Sequence, residues 1–210
     1  MEKSKGQFIV VEGLDGSGKS TQIKYLADRL RTKGLRVYET FEPTDSPIGS
    51  LIHQIMTGRI RSDHRSIAAL FAADRIDHLL NEINGIYKKI LDGIVVISDR
   101  YYFSSYAYHG VHVPMEWVIN VNSLSAGILK PDVNIFIDVP PEKCLARLNK
   151  ERWHLELYEK RENMHKVREK YFEAFEVLKD QEKVVTISGD AHPDQVAENV
   201  WNAVKDVLSL

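Results

Sequence analysis

The stretch that decides the fold is a glycine-rich loop, Gly13-Leu14-Asp15-Gly16-Ser17-Gly18-Lys19-Ser20, followed by Thr21. Two glycines bracket four positions and are followed by Lys and Ser, which is the full Walker A spacing. An apolar, β-branched run at residues 7–11 precedes the loop, and a helical pattern follows it from about residue 19 to 32. The context predicts a strand, a loop whose amides hold the phosphates of ATP, and a helix. Lys19 is predicted to reach the β- and γ-phosphates and Ser20 to bind magnesium; the alternative is a structural turn.

Further β-branched runs at residues 35–41, 94–98, 133–139 and 183–188 alternate with helical patterns. The longest helical pattern covers residues 64–91, with a break expected near Gly85. Strands that alternate with helices predict an α/β fold with a five-stranded parallel sheet flanked by helices. Ligands of such sheets bind where the strands end. The chemistry is therefore predicted to lie after Val11, Phe41, Ser98 and Ser188.

The composition excludes several classes of protein. Lys and Arg total 28 and Asp and Glu total 30, a net charge of −2, so no nucleic-acid partner is predicted. With 43% hydrophobic and 28% charged residues, the 210-residue chain is typical of one soluble domain, residues 1–210. Cys144 is the single cysteine, so no intrachain disulfide can form, as is usual in the cytoplasm. Neither a secretory signal nor the roughly 20 apolar residues of a membrane span is found, and no membrane association is predicted.

Beyond the phosphate loop, several segments occur in an order that resembles one known family. They are Phe8 to Gln22, Glu42-Pro43, Phe71-Ala72-Ala73-Asp74-Arg75, Asp99-Arg100-Tyr101, and Pro131-Asp132 before a strand ending in Asp138. Together they resemble the thymidylate kinases, a family of P-loop nucleoside monophosphate kinases, over nearly the whole chain. The resemblance implies a P-loop NTPase fold, ATP as donor, dTMP as acceptor, and dTDP and ADP as products. It also implies Mg²⁺ as the cofactor and a homodimer formed through helices.

Asp99 and Arg100 stand together at the end of a predicted strand. A carboxylate beside a phosphate loop can hold magnesium or its waters, and the planar guanidinium fork of Arg100 suits a phosphate dianion. The alternative is an ion pair at the surface. The resemblance implies that Asp99 lies near the metal and that Arg100 binds the acceptor phosphate.

Phe71 and Arg75 are four residues apart on a predicted helix and therefore share one face. An aromatic ring can stack on a base while a guanidinium bonds the base edge, although from spacing alone Phe71 is more typical of a core residue. The resemblance implies that Phe71 stacks on thymine and that Arg75 donates a hydrogen bond to a base oxygen.

The segment from Tyr101 to Tyr108 is dense in aromatic rings and hydroxyls, which taken alone also fits a helix packed into the core. The resemblance implies that Ser104 and Ser105 lie near the base. It also implies that Tyr108 lies under the sugar, where it excludes a 2′-hydroxyl. Asp15 resembles the loop acid that meets the 3′-hydroxyl in this family, and the alternative for Asp15 is a turn-forming role.

The family often has Arg before its Glu-Pro pair, whereas this chain has Phe41 there. Glu42 is retained and is predicted to belong to the acceptor site. Loss of that Arg removes a contact to the acceptor phosphate unless another cation replaces it. Arg59 and Arg61 are candidates for that replacement, and the sequence does not decide between replacement and loss of the contact.

Some family members carry a catalytic Arg inside the phosphate loop, which this chain lacks. Others carry arginines in a short mobile lid, predicted here at about residues 147–160. Arg152 is predicted to close on the transferring phosphoryl group and Arg147 to lie against the adenine or its phosphates, with Lys150 nearby. The alternative is a solvated helix face with charge pairs. The segment Ser188-Gly189-Asp190-Ala191 is predicted to line the adenine pocket.

Two other functions remain open from the sequence. One is a kinase for a different nucleoside monophosphate. The other is a P-loop protein that binds ATP as a switch and phosphorylates no small molecule.

Overall fold

The computed structural model of the chain describes residues 5–151 and 161–208. The strands are β1 (Phe8–Glu12), β2 (Val37–Phe41), β3 (Val95–Asp99), β4 (Val133–Asp138) and β5 (Val184–Ser188). The helices are α1 (Lys19–Thr32), α2 (Pro47–Met56), α3 (His64–Leu80), α4 (Ile86–Leu91), α5 (Tyr102–His109), α6 (Met115–Ile128), α7 (Pro141–Glu151), α8 (Arg161–Leu178) and α9 (Pro193–Lys205). Within the described ranges no helix is both long and apolar enough to span a bilayer.

The five strands form one parallel sheet in the order β2-β3-β1-β4-β5. The predicted α/β fold with a five-stranded parallel sheet is therefore confirmed. Val11 and Phe41 both lie opposite Asp99, and Asp138 lies opposite Ser188. This register places the ends of β1, β2 and β3 side by side, so their following loops meet at one edge of the sheet.

The central strands are buried because helices cover both faces of the sheet. Every residue of β1 is buried, as are the apolar residues of β3 and β4. Strands that are buried on both faces have continuous apolar sequences rather than sequences in which apolar and polar residues alternate. This explains why the runs at residues 94–98 and 133–139 were recognisable in the sequence.

The long helical pattern at residues 64–91 is two helices, α3 and α4. Asn81 leaves the helical conformation at φ −53° and ψ 127°, and its Oδ1 accepts a hydrogen bond from Ile83 N. A side chain at Gly85 would meet the carbonyl oxygen of Asn81 at 2.4 Å, so the chain turns tightly there. The break near Gly85 is confirmed, and it begins four residues earlier because Asn favours such local bonds over the helix.

Some side chains of the aromatic segment after β3 lie in the core, and others line the candidate site. Tyr101, Tyr102, Phe103 and Tyr106 are buried in the core. The Phe103 ring lies 5.1 Å from the Phe175 ring of α8 in an edge-to-face contact. These rings fix α5 between the sheet and α8, and thereby hold the other side chains of α5 in place.

Candidate active site

The phosphate loop joins β1 directly to α1, as predicted. Gly16 has φ +78°, and a side chain on it would meet the Cys144 carbonyl oxygen at 2.6 Å, so only glycine fits that position. The loop therefore packs closely against the backbone of α7 at this position. The amino terminus of α1, which begins at Lys19, faces the same loop and favours negative charge there.

Lys19 is 6% exposed and its ammonium lies within the loop. Its Nζ donates to the carbonyl oxygens of Gly13 at 3.3 Å and Leu14 at 3.2 Å, and lies 3.8 Å from Asp99 Oδ1. Burial and the nearby Arg100 charge lower the pKa of Lys19, whereas Asp99 and Asp15 act in the opposite direction. The side chain is thus positioned at the phosphate loop, with acids beside it.

Ser20 and Asp99 bring two hard oxygen ligands together. Ser20 Oγ donates to Asp99 Oδ2 at 3.1 Å. The other carboxylate oxygen, Asp99 Oδ1, is buried and has no hydrogen bond within the described residues. Oxygen donors of this kind, one of them with spare coordinating capacity, fit Mg²⁺. The described residues include no group of three or more His, Cys, Asp or Glu side chains suited to a metal.

Arg100 connects the phosphate loop with α5 and α8. Its Nη2 lies 2.6 Å from Asp15 Oδ1 and 3.1 Å from the Tyr108 hydroxyl, while Nη1 donates to Ser104 Oγ at 2.8 Å and the Tyr171 hydroxyl at 3.3 Å. Burial alone would lower the pKa of Arg100, but Asp15, Tyr108, Tyr171 and Asp99 together outweigh that effect and raise the pKa well above its usual value. Its backbone has φ +74°, a costly conformation for a non-glycine residue.

Glu12 binds two of the side chains that also contact Arg100, namely Ser104 and Tyr171. It is fully buried and accepts hydrogen bonds from Tyr101 N at 2.9 Å, Ser104 Oγ at 2.6 Å and the Tyr171 hydroxyl at 2.9 Å. Burial raises the pKa of Glu12, although Arg100 and these hydrogen bonds oppose the shift. Glu12 thereby fixes the start of α5 against the sheet.

Arg75 is almost completely buried, at 1% exposure. Its Nε and Nη2 lie 2.8 and 2.7 Å from Glu42 Oε2, and its Nη1 donates to Ser105 Oγ at 3.0 Å and to Asn122 Oδ1. His78 Nδ1 lies 3.1 Å from the other oxygen of Glu42. Arg75 and Glu42 thus form a buried pair that holds Ser105 in position.

Two cavities lie above these residues. The phosphate-loop cavity, of about 620 Å³, extends from the loop to Gly189, Ala191 and Pro193. The aromatic cavity, of about 120 Å³, lies between α3 and α5. Four of the site residues predicted from the sequence line this cavity: Phe71, Ser104, Ser105 and Tyr108. Asp15, Pro43, His53 and Arg100 line both cavities, which therefore meet at those residues.

One end of the phosphate-loop cavity lies between α7 and the loop after β5. Arg147 Nη1 donates to the carbonyl oxygens of Gly16 and Ser17, both at 3.2 Å, and its Nη2 donates to the Gly189 carbonyl at 3.3 Å. A side chain at Gly189 would meet Ile137 and Val139 side-chain atoms, each at 2.5 Å. Arg147 and Gly189 therefore hold the loop after β5 close to the phosphate loop.

Most of the predicted site residues meet at these cavities. The phosphate-loop cavity is lined by Asp15, Gly16, Ser17, Gly18, Lys19, Ser20, Thr21, Glu42, Asp99, Arg100, Arg147, Gly189 and Ala191. Gly13, Leu14, Arg75 and Asp190 do not line either cavity. Leu14 is buried, and Asp190 is paired with Lys143 at 2.5 Å. Arg152 lies outside the described residues, and Arg59 and Arg61 are exposed and line neither cavity.

Sequence reasoning missed Tyr171, Asn122 and His53. Tyr171 and Glu12 are 159 residues apart, and no local pattern joins them. Asn122 is a fully buried amide in an otherwise ordinary helix. His53 had the signal of a polar residue on an apolar helix, but nothing in its neighbourhood pointed to the site.

A Walker A loop between a strand and a helix, with two adjoining cavities beside it, defines the class of protein. It is a P-loop NTPase with room for a donor nucleotide and a second ligand.

A family model for thymidylate kinase matches residues 11–200. The chain belongs to the thymidylate kinase family. A protein named probable thymidylate kinase from Pyrobaculum aerophilum is 39% identical over 202 residues, 96% of this chain and 97% of that protein. One from Pyrococcus horikoshii is 38% identical over 201 residues, 92% of this chain and 95% of that protein. One from Caldivirga maquilingensis is 44% identical over 155 residues, 73% of this chain and 72% of that protein.

Family membership confirms that the chain is an enzyme, a kinase of dTMP. Neither a kinase for another nucleoside monophosphate nor a non-catalytic ATP switch is favoured by these relatives.

Proposed function

We propose that the chain transfers the γ-phosphoryl group of ATP to dTMP where its two cavities meet, giving dTDP and ADP. The observation that carries this proposal is that Asp15 and Arg100 line both cavities. A donor nucleotide in one cavity and an acceptor in the other would then present their phosphates to each other. Alignment of two bound reactants is a large part of catalysis of this kind.

The donor triphosphate lies along the phosphate loop in this proposal. The loop amides, Lys19 and the start of α1 bind its phosphates, and Thr21 lies at the same cavity wall. The base lies toward Arg147, Gly189 and Ala191, at the end of the cavity between α7 and the loop after β5. Asp190 contributes through its pair with Lys143, which ties the loop after β5 to α7.

The acceptor base lies in the aromatic cavity against Phe71. The Phe71 ring is 4.8 Å from the His109 ring, in an edge-to-face contact that leaves a ring face for stacking. Arg75 does not line this cavity, and four of its N–H donors already bind Glu42, Ser105 and Asn122. It therefore acts on the base through Ser105, which it holds at the cavity wall. Glu42 is thus a positioning residue for Arg75.

The sugar lies between the base and Asp15. The Tyr108 hydroxyl donates to Asp15 Oδ2 at 2.9 Å, so its ring is held at the cavity wall. A ring fixed there leaves no space for a 2′-hydroxyl, and Asp15 accepts a hydrogen bond from the 3′-hydroxyl.

Phosphoryl transfer needs no general base here, because the acceptor is already an anionic phosphate oxygen. The equatorial oxygens of the transferring group gain charge, which positioned cations stabilise. Lys19 and Arg100 supply such charges from the described residues. Arg147 and Arg152, in a lid at about residues 147–160, supply the rest.

Mg²⁺ is the proposed cofactor, held by Ser20 and Asp99. It neutralises charge on the donor phosphates when bound. Among the described residues, Ser20 Oγ and the Asp99 carboxylate would hold the ion, and phosphate and water oxygens are the other ligands that Mg²⁺ would accept. We also propose that residues 1–210 act as one domain, that two copies of the chain form a homodimer, and that the enzyme works in the cytoplasm.

The test is ADP release from Mg·ATP in the presence of single monophosphates: dTMP, dUMP, dGMP and UMP. We expect dTMP to give the highest kcat/KM. ATP turnover that is the same with every monophosphate, or with none, would contradict the proposal.

A further inference from the structure

The described part of the junction between the two cavities holds little positive charge. Among the described residues, Arg100 is the one cation that lines both cavities, and its guanidinium is 2.6 Å from Asp15. Phe41, which ends β2 beside Asp99, is 45% exposed and contributes an apolar ring to the phosphate-loop cavity. An acceptor phosphate at the junction carries up to two negative charges, so a single paired cation balances it incompletely.

Of the described residues that line both cavities, His53 is the other one whose side chain can donate a hydrogen bond to an anion. It lies in the last turn of α2 and lines both cavities, together with Asp15, Pro43 and Arg100. Its side chain is exposed, and its imidazole makes no hydrogen bond or ion pair with any residue that the structure describes. The ring therefore has its donor capacity available to a ligand.

The position of His53 is fixed by its helix. Ser46 Oγ caps α2 by accepting from Gly49 N at 3.1 Å, and Asp74 of α3 accepts from Thr44 N at 2.8 Å and from Ser46 Oγ at 2.8 Å. Ile52 and Ile55, on the other face of α2, are buried. The helix is thus anchored at its start and along one side, which turns His53 toward the junction.

We infer that His53 binds the phosphate of the acceptor and takes the place of the cation that Phe41 does not provide. Imidazole presents at least one N–H donor in either charge state, so His53 can donate a hydrogen bond to a phosphate oxygen whether or not the ring is charged. Arg59 and Arg61 do not fill this role, since they line neither cavity. This inference rests on the proposed function, because it requires a monophosphate acceptor.

The test compares an acceptor with and without its phosphate. In His53→Ala we expect the KM for dTMP to rise about tenfold. The KM for ATP and the inhibition constant of thymidine, which lacks the phosphate, should stay within about twofold. His53→Arg should restore the wild-type KM for dTMP, and His53→Gln, which keeps a neutral donor, should restore it in part. Arg59→Ala is the matched control and should leave every constant unchanged.

A double variant sharpens the result. Phe41→Arg should lower the KM for dTMP strongly in the His53→Ala background and much less in the wild-type background, since one added cation replaces the other. Equal effects in both backgrounds, or a loss of thymidine affinity as large as that of dTMP, would overturn the inference. If the wild-type protein itself does not phosphorylate dTMP, the proposed function fails, which is a distinct outcome.

Discussion

The guanidinium of Arg100 lies 2.6 Å from the carboxylate of Asp15, and this pair stands where the two cavities meet. Tyr108 completes it with a hydroxyl 2.9 Å from Asp15 and 3.1 Å from Arg100. A carboxylate, a guanidinium and a phenol thus connect the phosphate loop with α5. We expect a substitution of any of these three residues to affect the binding of both substrates.

Asp15 is expected to make stability depend on pH. Burial raises the pKa of Asp15, but the charges of Arg100 and Lys19 and the hydrogen bonds from Tyr108 and Arg100 together outweigh that effect and lower the pKa from 3.8 to about 2. A carboxyl whose pKa is lowered by folding stabilises the protein above its unfolded pKa and loses that contribution as the pH falls through the folded value. The difference in unfolding free energy between wild type and Asp15→Asn should be constant above about pH 4 and shrink toward pH 2.

Chemical denaturation at several pH values measures this difference. An advantage of the wild type that grows on acidification would show that the Asp15 carboxylate is not stabilised by its cationic neighbours.

Arg75 is expected to be essential for stability as well as for acceptor binding. Removing one partner of a buried ion pair leaves an uncompensated charge, which typically costs about 3–5 kcal/mol. Arg75→Met should lower the unfolding free energy by about that amount, because Glu42 would remain buried at 2% side-chain exposure. Denaturant unfolding provides the measurement.

The double variant Arg75→Met with Glu42→Gln is the control, since it removes both charges. We expect it to be less destabilised than the sum of the two single variants. Strict additivity would argue against direct coupling between Arg75 and Glu42.

Tyr108 is expected to govern discrimination at the sugar. Tyr108→Ala should reduce the preference for dTMP over its ribonucleotide counterpart by about tenfold, because space for a 2′-hydroxyl opens beside Asp15. Tyr108→Phe keeps the ring and should keep the preference, while it loses the hydrogen bond to Asp15. The ratio of kcat/KM values for the two nucleotides measures the effect. A Tyr108→Ala enzyme with unchanged discrimination would remove Tyr108 from this role.

The two arginines of the proposed lid are expected to act on different kinetic constants. Arg147 binds three backbone carbonyls around the donor cavity, so Arg147→Ala should mainly raise the KM for ATP. Arg147→Lys retains charge but not the planar fork and should recover only part of the loss. Arg152→Ala should lower kcat by tenfold or more, about 1.4 kcal/mol. A smaller loss in steady-state turnover would contradict its catalytic role.

The sequence predicted those features that depend on local spacing. The phosphate loop, the five strands and the start of α1 follow from the order of glycines, β-branched runs and polar residues within short windows. The division of residues 64–91 was predicted near Gly85, but its beginning at Asn81 depended on a side-chain bond to Ile83. Propensity and periodicity carry such information because they act over a few residues.

Contacts between distant segments were beyond that reasoning. The bonds from Glu12 to Tyr171 and from Arg75 to Asn122 join residues 159 and 47 positions apart. Their geometry follows from how α8 packs on α5 and how α6 packs on α3. His53 belongs to the same group, since only the placement of α2 shows that it lines both cavities.

The most direct measurement follows the γ-phosphoryl group itself. The protein is incubated with γ-labelled ATP, Mg²⁺ and dTMP, and the labelled products are separated. Transfer where the cavities meet predicts that the label appears in dTDP, in proportion to the ADP formed, and that it disappears when Mg²⁺ is chelated. Label found in free phosphate instead, at a rate that dTMP does not change, would contradict the account.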